Sequence, residues 1–269
     1  MSKNSITYHI GDIHGRSDLA TALVRHLEED AYARDAQPVF SFLGDLVDRG
    51  HDSKGSIQCV IDTLAKWPGS VLHLGNHDDW FLDALETGGE FMDAESWIVN
   101  GGLATVTSYT EDFTMDSLRE IRESYPEHVD LLRKARLRSF SGPFIAVHAG
   151  INPGLALEQQ SRREFLWIRS AFLEYVSPDM RPVIHGHTIM GKLPVVTENR
   201  VSIDTGAFHT DRLTCFAVDH DRQSFRFIQT HEDGLIGEIE PARLDRGYGT
   251  LLDRIPALYD EFAQKEPSP

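Results

Sequence analysis

A layered α/β fold is the class this sequence predicts, on three observations. Short apolar runs, each closed by glycine or a polar cluster, recur along the chain with the length of buried strands. The stretches between the first of them carry apolar residues at helical spacing. From residue 194 the runs come too close together for intervening helices, so an alternating pattern gives way to a group of strands.

The elements follow in order. "ITYHI" (6–10) is a strand, and "DLATALVRHLEE" (18–29) places Leu19, Leu23 and Leu27 on one helical face. "PVFSFL" (38–43) is the next strand. Residues 53–66 open on a serine suited to capping and carry Ile57, Val60, Ile61 and Leu64 on one side. "SVLHL" (70–74) is a third strand, followed by a helix over 80–87. Residues 88–140, with "ESWIVNGGLATVTSY" and a helix over 116–136, read as an inserted helical cap or lid. "PFIAV" (143–147) and "RPVI" (181–184) resume the strands. Residues 194–196, 200–203, 213–219 and 224–230 read as one antiparallel group. A C-terminal helix at about 248–264 presents Leu251, Leu252, Ile255, Leu258, Tyr259 and Phe262 for packing over the sheet. The closing "EPSP" reads as disordered. The whole chain, 1–269, is expected to form a single domain with these additions.

Composition bounds the function. Lys plus Arg is 26 against 42 for Asp plus Glu, a formal charge of −16. A surface that acidic repels nucleic acid and anionic membranes, so neither is expected as a partner. It does not exclude a small anionic substrate, because bound cations can invert the local field. Cys59 and Cys215 read as two reduced thiols rather than a disulfide. The N-terminal stretch has no apolar core of a secretory signal and no run long enough to span a membrane, so a soluble, cytoplasmic protein is expected.

Chemistry-bearing residues gather where the strand-like runs stop. "GDIHG" (11–15), "GDLVDRG" (44–50), "GNHDD" (75–79), "HAG" (148–150) and "HGHT" (185–188) each follow such a run. Open α/β sheets bind ligands beyond the carboxyl ends of their strands, which lets distant turns converge. Each motif alone is weak, since an Asp-x-His between glycines is more often a capped turn. Five in series are not.

In that order the motifs resemble the phosphoprotein phosphatase (PPP) family of binuclear metallophosphoesterases, over about residues 6–219. The bacterial and phage-type serine/threonine phosphatases are most similar, including "FLWIR" (165–169) and "DTGAFHTDRLTCF" (204–216). The resemblance implies a calcineurin-like α-β-β-α sandwich, two mixed sheets flanked by helices. It also implies two divalent ions, and the residue types suit them: carboxylate, imidazole and amide oxygen accept Mn²⁺, Fe or Zn²⁺, with Mn²⁺ the leading expectation. Asp12 and His14 point one way from an extended stretch and hold one ion with Asp45. Asp45 has a second oxygen with which to bridge to the other ion, completed by Asn76, His148 and His187. Two dications, two carboxylates and a bridging hydroxide leave a local charge of about +1, which attracts a phosphate dianion.

The other polar residues then have expected roles. Arg49 and Arg169 clamp phosphoryl oxygens. His77 donates a proton to the leaving alkoxide, and Asp48 orients the ring. The expected reaction is in-line attack on phosphorus by the metal-bridging hydroxide, with no phosphoenzyme. The expected substrate is a phosphorylated protein, with small phosphate esters still open. Two alternatives stand beside it. A symmetrical dinucleoside tetraphosphate hydrolase has related motifs but typically lacks an aspartate at the position of Asp48. A catalytically silent module that only binds phosphorylated ligands would normally have lost ligands. Nothing in the sequence fixes the oligomeric state.

Most other histidines read as structural or solvated. His9 and His73 fall inside strand-like runs, His185 at a strand end, and His26, His128, His220 and His231 on the surface. His209 is a candidate for the pocket edge, and His51, where family members often carry proline, either lines the substrate groove or caps a turn. Trp167 reads as core, with the floor of the site as its alternative, and Trp97, Asn100 and Tyr109 as bordering the pocket.

Overall fold

The computed structural model describes residues 4–110, 113–177 and 179–262, and two six-stranded mixed sheets organise them. The first sheet contains β1 (Ser5–Ile10), β2 (Gln37–Phe42), β3 (Val71–Leu72), β9 (Thr214–Asp219), β10 (Ser224–Thr230) and β11 (Ile236–Ile239), in the order β11-β10-β9-β1-β2-β3. The second contains β4 (Arg138–Ser141), β5 (Phe144–Val147), β6 (Val183–His185), β7 (Val195–Val196), β8 (Arg200–Ser202) and β12 (Ala242–Arg243), in the order β12-β7-β8-β6-β5-β4. This is the arrangement the resemblance implies, two mixed sheets flanked by helices.

Strand alternation explains how the sheets stack. In β9, Cys215 and Ala217 face the helices, while Phe216 and Val218 face the second sheet. Phe144, Ala146, Ile184 and Val201 meet them from the other side, and Phe216 packs edge-on against Phe144 with centroids 5.7 Å apart. In β1, Ile6, Tyr8 and Ile10 pack beneath helices α1 (Ser17–Ala33) and α2 (Ser53–Lys66). Asp52, one residue before the expected serine, caps α2, accepting from Gly55 N–H at 2.8 Å.

Several expectations change here. The four late strands do not form one antiparallel group. β7 and β8 pair antiparallel in the second sheet, β9 and β10 in the first, and β8 lies parallel to β6. Spacing shows only that consecutive strands are close, not which sheet each one joins. Strands β4, β11 and β12 went unread; each is short and half-exposed or fully exposed at most positions. The helix expected over 116–136 is two helices, Met115–Ser124 and Pro126–Lys134, because Pro126 has no N–H to continue the first and instead starts the second.

Residues 88–134 add helices whose apolar faces enter the same core as α1 and α2: Trp97, Val106, Leu118, Val129 and Leu132 are all buried there. At the chain's end, Ile255–Phe262 is helical and buries Ile255, Leu258 and Phe262 against the inter-sheet core. Residues 263–264 of the expected C-terminal helix, and the "EPSP" tail, lie outside the described residues. His128 and His220 are not solvated. His128 is 1% exposed between Tyr109 and Gln58, and His220 bonds Tyr259 Oη at 2.7 Å. Cys59 and Cys215 are both free. No helix among the described residues is long and apolar enough to cross a membrane.

Candidate metal centre

All five motifs sit at carboxyl ends of strands. Asp12 and His14 follow β1, Asp45 follows β2, Asn76 follows β3, His148 follows β5 and His187 follows β6. The first two turns are stitched together by main-chain bonds: His14 N–H to Asp45 O at 2.8 Å, Gly15 N–H to Leu46 O at 2.9 Å and Gly50 N–H to His14 O at 3.1 Å. A Cβ on Gly50 would stand 2.1 Å from His14 O, so this contact requires glycine. Positive φ angles cluster in the same place, at His14 (46°), Asp45 (50°), Asp48 (71°), Arg49 (69°) and His187 (63°). Such strain persists only where the surroundings enforce it, and it concentrates at functional sites.

Asp45 is the hub. Its Oδ2 lies 3.4 Å from His14 Nε2, and its Oδ1 lies 3.4 Å from His148 Nε2 and accepts His77 N–H at 3.0 Å from the first turn of α3 (Asn76–Thr87). Two groups of ligand atoms lie within 4.8 Å of one another: His14, Asp45 and His77, and Asp45, His148 and His187. One carboxylate therefore belongs to both. Despite its burial, the Asp45 carboxyl is held well below the usual carboxylate range by the ring of histidines around it, among which only His77 has a raised pKa.

The orientation of the imidazoles is specific. His14 Nδ1–H donates to Val47 O at 2.7 Å and His148 Nδ1–H to Leu43 O at 2.8 Å, so both rings present Nε2 lone pairs inward. Burial keeps both neutral by lowering their pKa values, and it takes His187 down to about 2. His148 Nε2 consequently faces Asn76 Oδ1 at 3.0 Å with no proton to place between them, and His187 Nδ1 approaches the same oxygen at 2.8 Å. Asp12 Oδ2 accepts His187 N–H at 3.0 Å, while its buried Oδ1 has no partner. The His148 lone pair facing Asn76 Oδ1 and the buried, unpartnered Asp12 Oδ1 and His187 Nε2 fit a cation, and histidine ligands characteristically donate their other nitrogen to a carbonyl. The donor set thus suits two divalent ions.

Beside this centre, His77 Nδ1–H donates to Asp48 Oδ2 at 2.6 Å. Burial acts against an imidazolium, but Asp45 and Asp48 outweigh it and the His77 pKa is raised. Asp48 is wholly buried, and its Oδ1 accepts from Trp97 Nε1–H at 3.1 Å and Thr105 Oγ1–H at 2.5 Å. Arg49 donates to His14 Nε2 at 2.8 Å and His77 Nε2 at 3.0 Å, and its guanidinium lies 4.9 Å from the Phe208 ring centroid. Arg169 is exposed, donates to Thr188 Oγ1 at 3.2 Å and stands close enough for its charge to lower the pKa values of His148 and His187.

The structure thus gathers Asp12, His14, Asp45, Asn76, His77, His148 and His187, with Asp48, Arg49 and Arg169 around them. Asp12 stands outside the two ligand groups, reaching the centre through His187. Four neighbours escaped the sequence reading. Asp204, at the carboxyl end of β8, is a further buried carboxyl; burial and Asp45 raise its pKa to about 6. Asp78 joins two of the turns, accepting Leu46 N–H at 2.8 Å and Gly75 N–H at 3.0 Å. Thr105 has no motif around it. Phe208 sits in "DTGAFHTDR", whose likeness to the family was the available signal. His51 is exposed, and His209 is exposed beside Phe208. Trp167 is half-buried against the core, 4.7 Å from Trp80 and 6.2 Å from His187 by ring centroids, so it also walls the site.

The inserted helices reach the centre through Gly101. With φ at 116°, it lies so close to the Arg49 backbone that a Cβ would fall 2.5 Å from Arg49 N. Gly101→Ala is expected to destabilise the fold by about 2 kcal/mol or more and to raise KM through a displaced Arg49. Thermal unfolding and steady-state kinetics check both, and an unchanged KM would mean that Gly101 does not hold Arg49 in place.

Residues 7–190 match the model of the family described as calcineurin-like phosphoesterase. No curated protein matches the sequence. Among solved structures, a putative diadenosine tetraphosphatase aligns with a TM-score of 0.54 at 18% identity, covering 89% of this chain and 98% of that one. A serine/threonine phosphatase from Saccharomyces cerevisiae with similarity to human phosphatase PP5 aligns at 0.51 and 14%, covering 93% and 84%. A hypothetical protein from Pyrococcus horikoshii OT3 aligns at 0.51 and 13%, covering 98% and 95%. At such identities these likenesses concern the fold.

Proposed function

Because the chain belongs to the calcineurin-like phosphoesterase family, whose members use a binuclear divalent metal site, we propose that it is a metal-dependent phosphomonoesterase. The specific reading is a serine/threonine protein phosphatase of the PPP type. The observation that carries it is the buried Asp48–His77 pair at 2.6 Å beside two ligand groups that share Asp45.

In this reading His14, Asp45 and Asp12 hold one ion, and Asp45, Asn76, His148 and His187 hold the other. The ions, Mn²⁺ in the leading version, supply charge to stabilise phosphoryl oxygens and activate water at neutral pH. The protein's own residues do the rest. Arg49, placed between His14 and His77, exchanges imidazole acceptors for phosphoryl oxygens, and Arg169 meets the phosphoryl group from the His187 side. Asp48 holds His77 Nδ1–H, which leaves Nε2 as the atom that passes a proton to the departing alkoxide. Trp97 and Thr105 fix Asp48 in turn. An alkoxide is a poor leaving group, so an oriented proton donor is what a phosphoserine or phosphothreonine substrate requires.

Turnover on phosphoserine, phosphothreonine and phosphotyrosine peptides, diadenosine tetraphosphate and a bis-aryl phosphodiester tests the assignment. The peptides with alkyl leaving groups are expected to be the best substrates. Hydrolysis of the dinucleotide alone would sink it, and binding without turnover of any ester would reduce the site to a recognition module. Arg169→Ala is expected to raise KM and depress kcat, together by about tenfold to hundredfold in kcat/KM, with metal content retained. Unchanged kinetics would mean that this arginine faces elsewhere.

A further inference from the structure

Away from the metal centre, a cavity of about 230 Å³ opens between the edges of the two sheets. Thr7 and His9 of β1 and Ser41 of β2 line one side; Ser139 and Ser141 of β4 line the other, with Arg136 and His220 at the rim. Thr7, His9 and Ser41 point here because they alternate with the residues that face the helices. Three features set it apart in a chain of net charge −16. No acidic residue is among its lining. His9 Nδ1 and Ser41 Oγ, on side chains 0% and 2% exposed, have no hydrogen-bond partner. Arg136 is exposed and shows no side-chain hydrogen bond or ion pair with another described residue, although acidic groups outnumber basic ones in the chain. Buried polar atoms without partners are rare and call for a ligand or ordered solvent.

A hydrogen-bond chain indicates which kind of ligand fits. Tyr259 Oη lies 2.7 Å from His220 Nδ1, His220 Nε2 lies 3.1 Å from Ser141 Oγ, and Ser141 Oγ lies 3.1 Å from His9 Nε2. An acceptor in the cavity selects one direction for this chain. Tyr259 then donates to His220, His220 to Ser141 and Ser141 to His9 Nε2, which leaves His9 Nδ1–H as a buried donor without a partner. With the Ser41 hydroxyl and the Arg136 guanidinium, the cavity then offers donors and a positive charge.

We propose that this cavity binds a small oxyanion between the two sheets, held by Arg136, Ser41 and His9. A ligand there ties β1 and β2 to the segment that leads into β4, so it stabilises the fold whether or not the metal centre is active. The test is thermal unfolding of the metal-loaded chain against sulfate, phosphate and malonate, with ionic strength held constant by chloride. At least one anion is expected to raise Tm saturably, by about 5 °C at a hundredfold excess over its Kd. Arg136→Met should lose most of that rise, and Ser41→Ala should weaken Kd several-fold. Both substitutions leave the core folded, since one is exposed and the other removes an unpartnered hydroxyl. Inhibition of aryl phosphate turnover by phosphate should be the same in both variants as in the parent, which places the effect away from the metal centre. A preference for malonate or for sulfate supports the site equally and tells a carboxylate from a tetrahedral oxyanion. Absence of saturable stabilisation, or the same stabilisation in the parent and both variants, overturns it.

Discussion

Asp45→Asn is expected to lose metal from both halves of the centre and to lower kcat/KM by about 10³-fold or more, the ions' share of transition-state stabilisation being several kcal/mol. The reasoning rests on sharing. Each ligand group contains three residues, and Asp45 is the member common to both. An amide keeps one oxygen but loses the charge that His14, His77, His148 and His187 surround. The fold should tolerate the change. Asparagine accepts the positive φ of this position, and the main-chain bonds from Ile13 and His14 to Asp45 O do not involve the side chain. Elemental analysis beside a melting curve separates the outcomes. A folded variant that retains two ions removes the shared-ligand assignment.

His77→Asn tests the proton. The expected result is a fall in kcat of about 10²–10⁴-fold on phosphoserine peptides, with metal content unchanged. An activated aryl phosphate needs no proton on its leaving group, so the same variant should turn it over within a few-fold of the parent. Asp48→Asn should follow the same pattern, since Asp48 acts only through the ring it holds at 2.6 Å. Equal losses on both esters would assign His77 to the ligand group it forms with His14 and Asp45, rather than to the leaving group.

Why so much of this could be read from the sequence is itself physical. Parallel strands bring their carboxyl ends to one edge, so polar motifs that close apolar runs converge whatever their separation. That rule found Asp12, Asp45, Asn76, His148 and His187 without any knowledge of sheet order. It missed Asp204 for a related reason. Residues 200–203 were placed in an antiparallel group, and an antiparallel strand does not deliver its end to that edge. Once β8 is seen to run parallel to β6, Asp204 falls where the rule expects a ligand-side residue. Trp97 and Thr105 illustrate a different limit. Their bonds to Asp48 span 49 and 57 residues, and nothing in residue type or spacing announces them. Trp167 serves both of its expected places, packing against the core on one side and standing beside the site on the other. The ring stops half-buried between Trp80 and His187.

Asp204 also refines the electrostatics. Counting only Asp12 and Asp45 makes the site mildly positive, and the further buried carboxyl of Asp204 works against that. Burial and Asp45 shift its pKa up to about 6, so it is largely ionised at neutral pH and becomes neutral only as the pH falls below that. Arg49 and Arg169 both oppose that shift. The field that attracts a phosphate dianion is therefore shaped by the two arginines as well as by the ions they accompany.

The most direct test of the shared carboxylate is anomalous diffraction from crystals of the metal-loaded protein. Two peaks flanking Asp45 are predicted, one on the His14 side and one among Asn76, His148 and His187. A single peak, or two peaks that leave Asp45 outside their coordination, would contradict the account.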